Sequence, residues 1–576
     1  MQIAERLPEL RLVGRRWLRA AARYEPWVVL TPLLLVQWLA LLAFALTVRH
    51  NGWLFYQGGD ETFYYTTSWM LSGWHLPTAP IGYGWSYLLT PLALFVGPNI
   101  LSALPGILLL NTLVLLPVAT LCVYGIASRI GGRLVGYLAT LLWVIAPYAV
   151  IPFWDQRYHE KWVEQFLPQA LGLTNLGDFP SMVCLLIAAY FCFRALDGED
   201  IREGIVAGLA TGFAIGIKPA NGLFVAASVV AFLLARRWRQ LVPFAAASVP
   251  ALIALAVWKQ RGLGFTPATA AGAPHLAYLG LPVPPLLFTD PFTKYVHVDW
   301  GMLGQNLDIL REFFWSVRPL EYLPIAGAIA LAFRSLPKGA FLATWFFAYF
   351  FIKGSSIHAR VEDGSFFRLM MPAFPAYLLL AASVPLLAPT YGRELADRFA
   401  TAPLRGHLGN RRLGAAIAVF ALVPLLIVVA IRPAHSRAAV KIFPDGVFLP
   451  IDRGFHANAA VNGTEVDLSW PSKEGSTAKV FYRVLRAPAF KPDWETAANP
   501  PIVRGFRCLR RVSSVAEDCS LSGTNVLGST FGRTFVDHPG RGRWSYYVAM
   551  GSNWLADPNF GDILLLSRPV TVSVRK

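Results

Sequence analysis

Residues 27–62 read WVVLTPLLLVQWLALLAFALTVRHNGWLFYQGGDET. From Trp27 to Thr47 no side chain is charged. About 20 such residues in a helix cross the hydrocarbon core of a bilayer, so the stretch reads as a membrane span. Arg6, Arg11, Arg15, Arg16, Arg19 and Arg23 precede it. Lys and Arg concentrate in cytoplasmic loops, which makes residues 1–26 a basic cytoplasmic N-terminus. The apolar run is too long for a signal-peptide core and no small-residue cleavage site follows, so the helix is retained. The chain then surfaces on the far side at Gly58-Gly59-Asp60-Glu61-Thr62.

The pattern repeats outward from that first helix. The chain has 576 residues, of which 55% are hydrophobic and 15% charged, against about 25% charged in a soluble protein. Its net charge of +17 sits in short basic runs between apolar segments, the signature of membrane topology rather than of nucleic-acid binding. Long apolar runs near 101–127 and 135–153 flank Arg129-Ile-Gly-Gly-Arg133, a cytoplasmic loop by charge. Further spans fall near 180–196, 204–235 (broken at Lys218-Pro219-Ala220-Asn221-Gly222), 241–258, 319–335, 339–353, 369–388 and 413–431. The segment 83–96, with Pro91, reads as interfacial or re-entrant. This predicts a polytopic α-helical membrane region over 27–432 with about eleven transmembrane helices.

From about residue 440 the composition changes to short alternating runs such as Val466–Trp470, Val480–Val484, Trp544–Val548 and Val570–Val574. Period-two alternation between Gly, Pro and Ser turns predicts an all-β antiparallel sandwich over 440–576. It resembles a fibronectin type III or immunoglobulin-like domain. An odd number of spans places it outside the cell, where Cys508 and Cys519 are able to form a disulfide. Cys122, Cys184 and Cys192 lie in apolar runs as packing residues.

The chemistry-bearing residues gather at the outer helix ends. Asp60 and Glu61 stand at the mouth of the apolar body, followed by Phe63, Tyr64 and Tyr65; an acid there is placed to take a proton from a hydroxyl, although outer loops also carry acids that are merely solvated. Asp178, in Gly177-Asp-Phe-Pro180, stands where a helix N-cap would, before a Pro in the first helical turn. His159 and Glu160 lie nearby. Lys218 interrupts an apolar stretch, where a cation is costly unless it reaches water or an anion. Arg360 and Arg368 flank a late outer loop, and Arg binds phosphate in a bidentate manner.

These loops resemble those of the GT-C glycosyltransferases, membrane enzymes that use lipid-linked sugars, in the mannosyltransferase and aminoarabinose-transferase-like branch. The resemblance rests on Gly59-Asp60-Glu61 with Tyr64, on Gly73-Trp-His-Leu-Pro77, on Gly82-Tyr83-Gly84-Trp85 with Leu88 and Pro91, on Asp178, and on Phe366-Phe367-Arg368. It implies a GT-C fold and an inverting transfer of a hexosyl or pentosyl group from a polyprenyl-phosphate sugar to a hydroxyl of a cell-envelope glycan or lipid. In it Asp60 is the base and Glu61 its helper or alternate. Lys218, Arg368 and Arg360 meet the donor phosphate, and Asp178, His159, Glu160, Tyr64, Tyr83 and Trp85 bind substrate. A divalent metal, Mg or Mn, is optional, with Asp178 its possible ligand. No Glu-Lys pair precedes the second span, a departure from some lipid A-modifying relatives that bears on phosphate and metal handling. The implied setting is the periplasmic side of a bacterial inner membrane, with membrane lipids, a lipid-linked donor and no nucleic acid as partners. The rival readings are a lipid-linked sugar flippase or transporter, whose ionisable groups belong near the bilayer midplane, and a non-catalytic envelope assembly protein.

Overall fold

A computed structural model of the chain describes residues 26–47, 55, 60–74, 81–149, 162–260, 298–312, 314–356, 359–361, 365–388, 409–430, 439–442, 447–471, 480–488, 506–509, 518–521, 526–552 and 562–575. His159 and Glu160 lie outside these residues, as do the basic N-terminal segment 1–25 and most of the loop 259–318.

Among the described residues, six helices are long and apolar enough to cross a membrane: Pro26–Thr47, Ile100–Ala149, Asp178–Asp197, Trp238–Trp258, Ser365–Leu387 and Asn410–Ala430. Shorter apolar helices cover Tyr83–Val96, Pro219–Leu234, Pro319–Ala332 and Leu336–Ile352. The outward faces keep large apolar side chains, among them Leu39, Leu46, Phe95 and Phe333, as lipid-facing helices must. The first helix is tied inward by polar groups instead. Gln37 is buried and accepts a hydrogen bond from Thr120 Oγ1 at 2.9 Å, and Trp38 Nε1 donates to the Thr112 carbonyl at 2.9 Å.

The two spans expected on either side of residues 129–133 are two helical segments within Leu116–Ala149 that meet at a break. Gly131 and Gly132 leave helical geometry there, Gly132 at φ 81° and ψ −178°, a conformation essentially confined to glycine. The break at Lys218 takes the expected form. Helix Ile201–Ile217 ends, a 3₁₀ turn covers Pro219–Gly222, and a helix resumes at Leu223–Leu234. Helix Ile201–Ile217 carries glycines at 204, 208 and 212, and all three press on Trp238–Gln260; a Cβ on Gly208 would lie 2.1 Å from the Phe244 carbonyl oxygen. Small residues at four-residue spacing are how membrane helices approach closely.

The C-terminal region is rich in strands: β1 (Ala439–Ile442), β2 (Val447–His456), β3 (Asn458–Asn462), β4 (Glu465–Ser469), β5 (Val480–Pro488), β6 (Phe506–Leu509), β7 (Asp518–Leu521), β8 (Val526–Thr530), β9 (Thr534–Asp537), β10 (Gly542–Ser552), β11 (Asp562–Arg568) and β12 (Val570–Val574). They form a nine-stranded sheet in the order β6-β7-β1-β2-β11-β10-β5-β8, with β12 on β10, and a three-stranded sheet β3-β4-β9. The expected antiparallel pattern does not hold throughout: β1 runs parallel to β7 and β2 parallel to β11. Parallel partners need long connections, and both pairs join segments far apart in the chain. Trp470 packs on Tyr482, ring centroids 5.4 Å apart and tilted by 55°, in this region's core with Phe455, Val484, Tyr546 and Val548. Cys508 and Cys519 are partners in the β6–β7 register; their side chains lie outside the described residues.

Candidate active site

Three helix ends and one turn bring distant residues together. Helix Asp60–Ser72 starts with Asp60 and Glu61 in its first turn, and helix Asp178–Asp197 starts with Asp178. Acids favour a helix N-terminus, where backbone N–H groups point outward. Lys218 closes helix Ile201–Ile217 in extended geometry, and Arg368 lies in the short helix Ser365–Met370.

The four charged side chains interlock. Arg368 donates from Nε to Asp178 Oδ2 at 3.1 Å and from Nη2 to Asp60 Oδ2. Lys218 Nζ donates to the other oxygen, Asp178 Oδ1. Asp178 is 1% exposed, whereas Asp60 is 38% exposed. The two acids and two cations cancel in formal charge, and a carboxylate as deep as Asp178 is tolerable only because both its oxygens are paired. Gly177 holds the N-cap position and no side-chain cap bond forms there, so the N-cap alternative for Asp178 is not the arrangement adopted. Its carboxylate serves the cations instead.

The other residues singled out in the sequence stand behind this face. Glu61 is fully buried, and its Oε1 accepts from the Asn175 backbone N–H at 2.6 Å. Asn175 Nδ2 donates back to the Glu61 carbonyl at 2.9 Å. Trp85 is buried and donates from Nε1 to the Asn175 carbonyl and Oδ1, both at 3.1 Å. Tyr64 is buried, with its hydroxyl 3.4 Å from the Ile217 carbonyl. Burial first, then the negative charges of Asp60 and Asp178, pushes its phenol well above the ordinary range, so it stays protonated beside both acids. Tyr83 is buried between Phe213 and Trp258. Tyr64, Tyr83 and Trp85, expected as substrate contacts, are all buried. Arg360 is exposed, outside the four-residue cluster, with its backbone N–H on Ser365 Oγ at 3.0 Å.

Three asparagines given no role from sequence hold the frame: Asn111, Asn175 and Asn221. Asn111, in a π-helical turn, donates to the carbonyls of Gly172 and Thr174 at 3.0 Å each, pinning the segment that carries Asn175. Asn221 donates to the Ala214 carbonyl at 2.9 Å and accepts from the Tyr349 hydroxyl at 2.9 Å, which fixes the turn after Lys218. An amide inside an apolar run is expensive unless satisfied, and that cost is the signal available from sequence.

A cavity opens within one helical turn of the cluster. Its walls are almost wholly apolar and include Trp143, Trp162, Phe314, Phe366, Phe367 and Met370. Phe366, Phe367 and Met370 flank Arg368 in the same short helix, and Met182 continues the helix that Asp178 begins. Arg368 therefore stands between residues that line this cavity, and Asp178 one helical turn from another. For a divalent metal the donor set is unsuited as it stands. Both Asp178 oxygens face cations, and among the described residues no three His, Cys, Asp or Glu side chains stand together as ligands.

No curated protein matches the chain in sequence. The apo oligosaccharyltransferase of Archaeoglobus fulgidus aligns in structure at 16% identity, over 71% of this chain and 56% of that one, with a TM-score of 0.42. The archaeal oligosaccharyltransferase AglB of the same organism, in complex with an inhibitory peptide and a dolichol-phosphate, aligns at 15% identity over 70% and 55%, with a TM-score of 0.40. The A. fulgidus enzyme in complex with Zn and sulfate aligns at 14% identity over 71% and 54%, with a TM-score of 0.38. The chain spans a little over half the length of those structures. Residues 165–259, the segment that contains Asp178 and Lys218, match the family of dolichyl-phosphate-mannose-protein mannosyltransferases. That match supports a GT-C superfamily glycosyltransferase, the resemblance carried by the loop motifs.

Proposed function

We propose that this chain transfers a sugar, with inversion, from a polyprenyl-phosphate carrier to a hydroxyl of a cell-envelope glycan or lipid on the extracytoplasmic face of a bacterial inner membrane. The observation that carries the reading is the pair of acids, Asp60 and Asp178, interlocked with Arg368 and Lys218, with the residues on either side of Arg368 lining an apolar cavity. The cavity suits a prenyl chain and the cations suit its phosphate. Asp60, the more exposed acid, takes the proton of the acceptor hydroxyl. The acceptor oxygen forms a bond to the anomeric carbon as the bond from that carbon to the phosphate oxygen breaks. The electron pair leaves on the phosphate, and Arg368 and Lys218 meet its charge; in most enzymes, stabilising charge where it develops contributes more to the rate than any other single effect. One displacement inverts the anomeric centre. Glu61 and Asn175 act by position, holding the first turn of the Asp60 helix against the segment that leads to Asp178. Arg360 is placed to meet a head group further out. The chemistry needs no metal in this reading, since the two cations supply the positive charge.

The test is a screen. Purified protein in lipid nanodiscs is offered prenyl-phosphate sugars of several hexoses and pentoses with envelope lipids as acceptors, and free prenyl phosphate is followed by mass spectrometry. Release from at least one donor is expected. If no donor is consumed with any acceptor fraction, while the lipid sugar crosses the bilayer in a protein-dependent manner, the transporter reading takes its place.

A further inference from the structure

One oxygen of Asp60 is already engaged: its Oδ2 accepts the Nη2 hydrogen of Arg368. A hydroxyl that is to reach that oxygen must displace a charge-assisted hydrogen bond. The same guanidinium holds Asp178 through a different atom, Nε, at 3.1 Å. The two attachments are unequal. Asp178 is 1% exposed and is held a second time by Lys218, whereas Asp60 is 38% exposed and reaches water. The Nε end is therefore the anchored one and the Nη2 end the exchangeable one. On either side of Arg368, Phe367 and Met370 face the apolar cavity, so a head group whose chain lies in that cavity arrives at the guanidinium.

We infer that Arg368 is a latch operated by the donor: the carrier phosphate draws the Nη groups off Asp60 while Nε stays on Asp178, and only then is Asp60 free to accept the acceptor's proton. The inference rests on the proposed function and adds to it an order of events, donor before acceptor. No covalent bond changes in this step, and the guanidinium stays protonated while exchanging one anionic oxygen for another. An acceptor that reached the site first would find Asp60 Oδ2 engaged by Arg368, which disfavours unproductive acceptor binding and premature attack on the donor.

The test is carboxyl labelling of the full chain in nanodiscs with a water-soluble carbodiimide and glycine ethyl ester, read residue by residue by mass spectrometry. The probe is farnesyl phosphate, with farnesol as the chain lacking the anion, and native mass spectrometry reports binding separately. In the wild type, farnesyl phosphate is expected to raise Asp60 labelling by about threefold, the scale of a partly exposed ion pair, and farnesol to leave it unchanged. In Arg368→Gln, Asp60 should label at the higher rate with or without the probe. Arg368→Lys and the labelling of Asp197, which pairs with Arg129 and Lys338 elsewhere in the protein, verify that the fold is kept. Bound farnesyl phosphate with Asp60 labelling unchanged or lowered overturns the latch alone. So does Arg368→Gln labelling no faster than wild type. Farnesyl phosphate that does not bind at all overturns the latch together with the phosphate-binding reading beneath it.

Discussion

A charge that is 1% exposed persists only as long as its partners do, because its own hydration is gone. Asp178 is in that position, with Lys218 on one oxygen and Arg368 on the other. Asp178→Asn takes the carboxylate from Lys218 and leaves Arg368 with Asp60 alone, and breaking a buried pair costs about 3–5 kcal/mol. Thermal unfolding in detergent should show a large drop in Tm. Asp60→Asn removes a pair that is 38% exposed, worth about 0–1 kcal/mol, and should leave Tm nearly unchanged while ending transfer. Equal Tm values for the two variants would contradict the roles given to them. Asn175→Ala removes the side-chain bonds to the Glu61 carbonyl and from Trp85 and should cost about 1–3 kcal/mol, seen as a lower Tm with the donor KM raised. Four of the residues named from sequence (Asp60, Asp178, Lys218 and Arg368) meet in space. They are legible because an ion at an apolar helix end has few reasons to be there. Tyr64, Tyr83 and Trp85 read as a substrate platform from their place after the acids. Which face of a helix an aromatic takes depends on what packs behind it, and here Asn175, Phe213 and Trp258 do.

At the scale of elements, helix placement follows from hydropathy and helix junctions do not. The break at Lys218 is visible because Pro219 and Gly222 cannot continue an apolar helix quietly. The arginines around Gly131-Gly132 read as a loop between two spans, and the backbone does leave helical geometry at those two glycines, which make the junction tight. The glycine stripe on Ile201–Ile217 acts by proximity, and its four-residue spacing says nothing of which helix it meets. Gly208→Ala places a methyl 2.1 Å from the Phe244 carbonyl, so the two helices must part; overpacking of this kind costs about 1–3 kcal/mol. A lowered Tm, with Lys218 displaced from Asp178 and the KM for donor raised, is the expected result. A silent Gly208→Ala would mean that the Trp238–Gln260 helix yields freely.

For the whole molecule, the strand-rich C-terminal region is legible as strands but not as a topology. Alternation gives each strand, whereas the parallel pairings of β1 with β7 and β2 with β11 depend on contacts between distant segments, which no local pattern encodes. One lock in that region is testable by pH. Tyr546 donates to Asp537 at 2.6 Å, and Arg486 pairs with the same oxygen at 2.7 Å. Burial, then the bond to Asp537, raises the Tyr546 phenol above its ordinary value. A raised folded pKa gives stability that is complete below the unfolded value of about 10 and is lost as pH climbs beyond it. Thermal unfolding should therefore weaken above about pH 10, and Tyr546→Phe should flatten that decline. The central claim concerns the membrane body, where the acid at the start of the Asp60 helix drives sugar transfer from a carrier phosphate. Its most direct measurement is prenyl phosphate released per minute from the accepted donor by wild type and by Asp60→Asn, both verified folded by Tm. The account predicts a loss of about a hundredfold or more, the scale of general-base catalysis; release by Asp60→Asn at the wild-type rate would contradict it.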